Sequence, residues 1–134
     1  WNIDRFKRYE IAERDEAMYE EYMMEDAEYA IVAFGIAARV CKNAIMDARK
    51  KGIKVGMIRP ITLWPFPTEV LNKAADKCKA FISVEMNMGQ MIEDVKLAIE
   101  CKKPVELCCR VGGMIPSPEE VLQKIVEVNE GGER

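Results

Sequence analysis

Beyond Glu28 the chain alternates between two kinds of apolar spacing. Short unbroken apolar runs read as strands buried on both faces, and segments with apolar residues three and four apart read as helices. YAIVAF, residues 29–34, is the first run, and Gly35 closes it. Residues 36–51 then carry Ala37, Val40, Cys41, Ala44, Ile45 and Ala48 on one helical face, with Gly52 placed to terminate that helix. IKVGMI at 53–58 is a second strand. RPITLWPFP at 59–67 holds three prolines, which excludes a helix or a central strand there. Thr68 is placed to N-cap a helix that turns Val70, Leu71, Ala74, Ala75 and Cys78 inward. AFISVEM at 80–86 is the third strand, a helix follows from 88 to about 100, and PVELCCR at 104–110 is the fourth strand. Ser117-Pro118-Glu119-Glu120 is a helix start, with Ser at the cap, Pro at the first position and Glu at the third. That helix is expected to run to about residue 128, with the tail NEGGER frayed.

Residues 1–27 differ. They hold nine acidic and four basic side chains and no Gly or Pro, with scattered apolar residues such as Ile3, Phe6, Met18, Tyr22 and Met23. This reads as a helical linker whose weak apolar face packs on something outside it. The domain proper is then 28–134, a β-α repeat. Such repeats build a mostly parallel sheet with helices on both faces, and ligands gather at the carboxyl ends of its strands. The residues falling there are Gly35, Arg59, 85–90 and 110–113.

Composition prunes the functions open to that edge. The net charge is −3 with no basic stripe, which argues against nucleic acid, and no apolar stretch is long enough to span a membrane. There is no secretory signal, and the start at Trp1 reads as a piece of something longer. Five cysteines lack any CxxC spacing, so they read as buried thiols in a reducing cytoplasm rather than as a disulfide, zinc or iron–sulfur set. Histidine is absent, which removes Ser-His-Asp triads, Cys-His dyads and imidazole ligands together.

The remaining motifs each have two readings. FGIAAR supplies one glycine where a dinucleotide fingerprint needs three, so Gly35 reads as a tight strand-to-helix turn. No P-loop occurs. Arg59, Glu85 and Arg110 stand at strand ends and form either a structural ion cluster, the favoured reading, or an anion site. Trp64 and Phe66, fixed between prolines, either fold back on the domain or anchor a partner. Met57, Met86, Met88, Met91 and Met114 read mostly as core. In VEMNMGQM, Asn87 and Gln90 have capping-box spacing, and Gly89 permits a close backbone approach.

Taken in order, AEYAIVAFGIAARVCKNAI, IRPITLWPFP, VEMNMGQM and RVGGMIPSPEEVL resemble the transketolase carboxyl-terminal-like domain in the α subunit of 2-oxoacid:ferredoxin oxidoreductases, of the 2-oxoisovalerate and 2-oxoglutarate types. The resemblance covers about residues 20–130. It implies a complete enzyme that decarboxylates a 2-oxoacid on thiamine diphosphate and Mg, transfers the acyl group to coenzyme A and sends electrons through iron–sulfur clusters to ferredoxin. It also implies that thiamine sits between a pyrimidine domain upstream and a pyrophosphate domain in another subunit, so this chain would hold no cofactor and no catalytic residue. The implied fold is a three-layer α/β/α sandwich whose parallel strands take the order second-first-third-fourth. An extra antiparallel strand lies beyond the second; 19–24 is its only candidate, although that segment reads as helical. The Gly35 turn and the 87–90 turn would flank one crevice, with Glu85 beside Arg110 and paired to it.

The expected function is therefore a cytoplasmic assembly domain with the enzyme's other subunits as partners, a ferredoxin-like one among them, and a homodimer as a further possibility. The alternative is a small-anion or nucleotide module using a crevice lined by Gly35, Ile36, Asn87, Met88, Gly89, Gln90, Gly112 and Gly113. A pure interaction role for Trp64 and the methionines is the third.

Overall fold

The computed structural model describes residues 18–61, 66–86, 90–110 and 115–132. Along it run β1 (Tyr19–Tyr22), β2 (Tyr29–Ala33), α1 (Ile36–Lys50), β3 (Val55–Pro60), α2 (Thr68–Lys77), β4 (Ala80–Glu85), α3 (Gln90–Ala98), β5 (Val105–Cys109) and α4 (Pro118–Gly132). The sheet order is β1-β3-β2-β4-β5, with β1 antiparallel to β3 and the other neighbours parallel. The four parallel strands thus take the implied order, and the extra antiparallel strand is present at the implied edge.

Alternation along the strands divides the core in two. Tyr29, Ile31, Met57, Ile82 and Cys108 face the α1 and α4 layer, and Ala30, Val32, Ile58 and Phe81 face the α2 and α3 layer. β2, at the centre, is buried along its whole length. This is the three-layer sandwich, and no buried side-chain N or O among the described residues lacks a hydrogen-bond partner. None of the described helices is long and apolar enough to cross a membrane.

Four local expectations are corrected. Residues 19–22 form a strand, not a helix: pairing with β3 overrides the charged local pattern, and Tyr22 packs on the α1 and α4 core. The expected helix over residues 1–17 lies outside the described residues. Pro60 belongs to β3, a central strand. Because Ile61 N–H donates to Met18 O at 2.9 Å, alternate residues point their nitrogens away from β1. The nitrogen of Pro60 therefore points toward β2, beyond the last β2–β3 register pair, Val32–Ile58, where no donor is needed. Thr68 is the first residue of α2 rather than its cap, and its hydroxyl donates back to Phe66 O at 3.3 Å. Finally, α4 continues to Gly132.

Two helix ends form as read. At the end of α1, Gly52 at φ 86° donates to Arg49 O and Ile53 N–H donates to Ala48 O, a Schellman closure. Ser117 Oγ accepts from Glu120 N–H at 3.2 Å.

The turn between β1 and β2 is held from both helical layers. Arg49 on α1 donates through Nε to Val55 O (3.0 Å) and through Nη2 to Met23 O (2.7 Å), and grips both Asp26 oxygens. Lys77 on α2 donates to Met24 O. Arg49 lowers the Asp26 pKa chiefly through the side-chain hydrogen bond. Lysine cannot reproduce this fork. Arg49→Ala and Arg49→Lys are both expected to lose about 2 kcal/mol in a urea melt, since most of the loss is of charge-assisted bonds to backbone.

All five cysteines are free thiols. Burial is the main cause raising the pKa of Cys41 and Cys78, and it pushes Cys108 up to about 11 from 9.0. Cys101 is exposed and Cys109 half-buried. A thiol reagent at neutral pH is expected to modify Cys101 first and to leave Cys41, Cys78 and Cys108 intact until the chain unfolds, as peptide mapping would show. The unfolded chain loses these thiol protons before the folded chain does. Their contribution to stability is therefore complete below pH 9.0 and, for Cys108, is lost as the pH rises toward about 11.

Candidate functional site

The carboxyl edge of the sheet is where the sequence places its candidates, and the local chain explains what each one does. β2 ends into Gly35, whose backbone at φ 64°, ψ −134° is open to glycine and strained for other residues. This lets the chain reverse directly into α1, with Ala38 N–H donating to Gly35 O at 3.1 Å. The amino end of α1 receives no side-chain cap, and Ile36, its first residue, is 59% exposed.

β4 ends at Glu85, the one charged residue among those described that is buried. Its carboxylate accepts from three donors: Met91 N–H, Ile92 N–H at 3.2 Å and the Ser83 hydroxyl at 3.2 Å. Ser83 and Glu85 share the sheet face with Phe81, beneath α3. The right-handed crossover brings the amino end of α3 over that face, so Glu85 supplies, from within the chain, the anion that a helix N-terminus attracts. Capping by Asn87 and Gln90 was the sequence reading. Asn87 lies outside the described residues, and Gln90 is the first residue of α3 rather than its third helical position. Glu85, expected as the ion-pair partner of Arg110, is the residue that caps. The signal available in the sequence was the i, i+2 spacing of Ser83 and Glu85 with a helix start five residues on.

The expected ion cluster of Arg59, Glu85 and Arg110 does not form. Parity along the strands separates it. Glu85 is in register with Cys109, so Arg110, one residue later, turns to the opposite face and meets Glu120 of α4 at 3.5 Å. Arg59 shares the face of Met57, which lies in the α1 and α4 core, and meets Glu20 of β1, its register partner, at 3.3 Å. Both arginines therefore lie on the α1 and α4 side of the sheet, and Glu85 lies on the other.

Phe66 is half-buried against the α2 and α3 core, as the folded-back reading held. Met57 and Met91 are buried, whereas Met86 is 40% exposed. Trp64, Met88, Gly89, Gly112, Gly113 and Met114 lie outside the described residues. At the opposite, amino edge, a depression of about 350 Å³ is lined by Tyr29, Ala80, Glu106 and Lys124 among others. Its charges pair within the domain, Lys124 with Glu106 at 3.7 Å and with Glu127 at 3.9 Å.

The described residues do not fit thiamine diphosphate or its metal. They contain no cluster of three His, Cys, Asp or Glu side chains able to hold an ion, and the buried carboxylate at the edge is committed to α3.

A family model described as pyruvate:ferredoxin oxidoreductase core domain II matches residues 27–121. The ketoisovalerate oxidoreductase subunit VorB of Methanothermobacter marburgensis is 50% identical over 122 residues, which is 91% of this chain and 34% of that protein. The chain thus spans about a third of the length of this relative. In fold it is similar to a 2-oxoglutarate:ferredoxin oxidoreductase from Magnetococcus marinus with 2-oxoglutarate, coenzyme A and succinyl-CoA bound, with a TM-score of 0.79 and 24% identity over 94% of this chain and 22% of that one. It also matches a split-gene transketolase, an inactive β4 tetramer, with a TM-score of 0.71 and 19% identity over 82% of this chain and 40% of that one.

Proposed function

Because this chain belongs to the pyruvate:ferredoxin oxidoreductase core domain II family, we propose that it is a non-catalytic assembly domain of a thiamine-diphosphate-dependent 2-oxoacid:ferredoxin oxidoreductase. In this reading the complete enzyme converts a branched-chain 2-oxoacid such as 2-oxoisovalerate, with coenzyme A, to the acyl-CoA and carbon dioxide, and reduces ferredoxin through iron–sulfur clusters. The 50% identity to a subunit named for ketoisovalerate supports the branched-chain choice. Thiamine chemistry is assigned to a pyrimidine domain upstream and a pyrophosphate domain in another subunit. These, a ferredoxin-like subunit and a second copy of this chain are the partners. A reducing cytoplasm accords with five free thiols.

One observation carries the assembly role: the buried acid at the carboxyl edge, Glu85, spends its oxygens on Ser83 and on the amides of α3. The other charged candidates, Arg59 and Arg110, pair with Glu20 and Glu120. Among the described residues the charged groups of this edge are thus committed within the domain. The nucleotide-module reading draws help from two helix N-termini at the crevice, and the one at α3 is filled by Glu85.

The test is kinetic. In the complete oxidoreductase, Glu85→Gln is expected to lower the yield of assembled complex, and Arg59→Ala, Arg110→Ala and Glu85→Gln are each expected to leave kcat per assembled complex within about twofold. A drop of about a hundredfold in kcat at normal assembly would make one of them catalytic and overturn the proposal.

A further inference from the structure

The two edges of the sheet present different chemistry to solvent. The positions just before β2, β3 and β4 are Glu28, Lys54 and Lys79, and Lys79 pairs with Glu28 at 3.5 Å. The positions just after β2, β3 and β4 are Phe34, Ile61 and Met86, 43%, 41% and 40% exposed, and Ile36 beside them opens α1. Register places them together. Val32 pairs with Ile58 and Ala33 with Val84, so Phe34, Ile61 and Met86 emerge within one residue of the same level on three adjacent strands and straddle the rim, Phe34 in parity with Val32 on the α2 and α3 side, Ile61 and Met86 in parity with Met57 and Val84 on the α1 and α4 side. Neighbouring strands lie about 4.8 Å apart, so the patch is about 10 Å across in that direction. A single exposed apolar side chain is ordinary, whereas several at adjacent strand ends form a contact surface.

We propose that this apolar carboxyl edge is the docking face for the part of the complete subunit that precedes these 134 residues. The inference rests on the assembly reading above and names the surface it uses. Three observations select that occupant. The chain reaches β1 across this edge, since Met18 O accepts the Ile61 N–H at 2.9 Å, so any preceding polypeptide is delivered here by connectivity. The relative VorB is about three times as long as this chain, which leaves room for such a body. The charges of the edge are satisfied within the domain, Glu85 by α3, Arg59 by Glu20 and Arg110 by Glu120, so the contact on offer is apolar burial rather than ion pairing.

Methionine oxidation by dilute peroxide, read by mass spectrometry, tests this with built-in references. Met86 on the patch, Met46 on α1 and Met23 at the amino edge are 40%, 43% and 39% exposed, so they share one chemistry and nearly one exposure. Passing from the 134-residue chain to the complete subunit, Met86 is expected to oxidise at least about fivefold more slowly while Met46 and Met23 change by less than about twofold. A Phe34→Ser/Ile36→Ser variant of the complete subunit is expected to return Met86 to the rate seen in the chain, while the same variant of the chain keeps its Tm. Equal Met86 rates in both forms would overturn the proposal. So would a Met86 already slow in the chain, or protection falling on Met23 or Met46 instead. Thiamine diphosphate binding to the 134-residue chain would sink the assembly reading while leaving Met86 protection in place, so the two failures are distinct.

Discussion

Glu85→Ala is expected to cost about 3 kcal/mol of folding stability in a urea melt, because it strands two amide donors and a hydroxyl beneath α3 and each bond to a buried carboxylate contributes about 1.5–3 kcal/mol before solvent relaxes into the gap. Glu85→Gln keeps the shape and one acceptor but turns an NH₂ toward an amide donor, so about 2 kcal/mol of loss is expected there. The same melts distinguish an internal cap from an inter-strand ion pair. Arg110→Ala removes a pair whose side chains are 48% and 41% exposed, so a change within about 0.5 kcal/mol is expected. The double variant Glu85→Ala/Arg110→Ala is expected to be additive to about 0.5 kcal/mol, since the two groups lie on opposite faces of the sheet. A coupling of 2 kcal/mol or so would restore the ion-pair account.

Gly56→Ala is expected to be about as damaging, near 3 kcal/mol, for a different reason: overpacking. A Cβ at residue 56 would lie 2.6 Å from Met23 O and 2.8 Å from the Met24 sulfur. The sulfur belongs to a flexible side chain and can move. The carbonyl cannot, because Met23 O also accepts from Arg49 at 2.7 Å and its residue holds a left-handed backbone at φ 54°. Met24→Ala is therefore expected to rescue less than about a third of the loss, which thermal melts of the single and double variants would measure.

Most of the scaffold was legible because its signals are local. The apolar runs of β2 and β4, the helical spacing of Ala37, Cys41, Ala44 and Ala48, Gly52 after α1 and Ser117 before α4 each specify their element without reference to distant residues. β1 was not legible. Tyr19–Tyr22 is short and charged, and only its pairing with β3 makes it a strand. Pro60 misled for a related reason: whether a proline is tolerated in a strand depends on which neighbour its nitrogen faces, and that is a property of the sheet. At the candidate site, adjacency of strand ends was read correctly from the implied order, but parity was not applied. Glu85 and Arg110 are neighbours along the edge and still belong to opposite layers, because the register pairs Glu85 with Cys109. Applied to Phe81, Ser83 and Glu85, the same period of two places the carboxylate beneath α3 and gives it a role that its charge alone did not suggest.

The central claim is that this domain shapes an enzyme without holding its cofactor. Calorimetric titration of thiamine diphosphate and Mg²⁺ into the 134-residue chain tests it most directly, with the complete oxidoreductase as the positive control. No saturable heat is expected up to about 1 mM ligand, and one-to-one binding with a Kd near 1 μM, about −8 kcal/mol, would contradict the account.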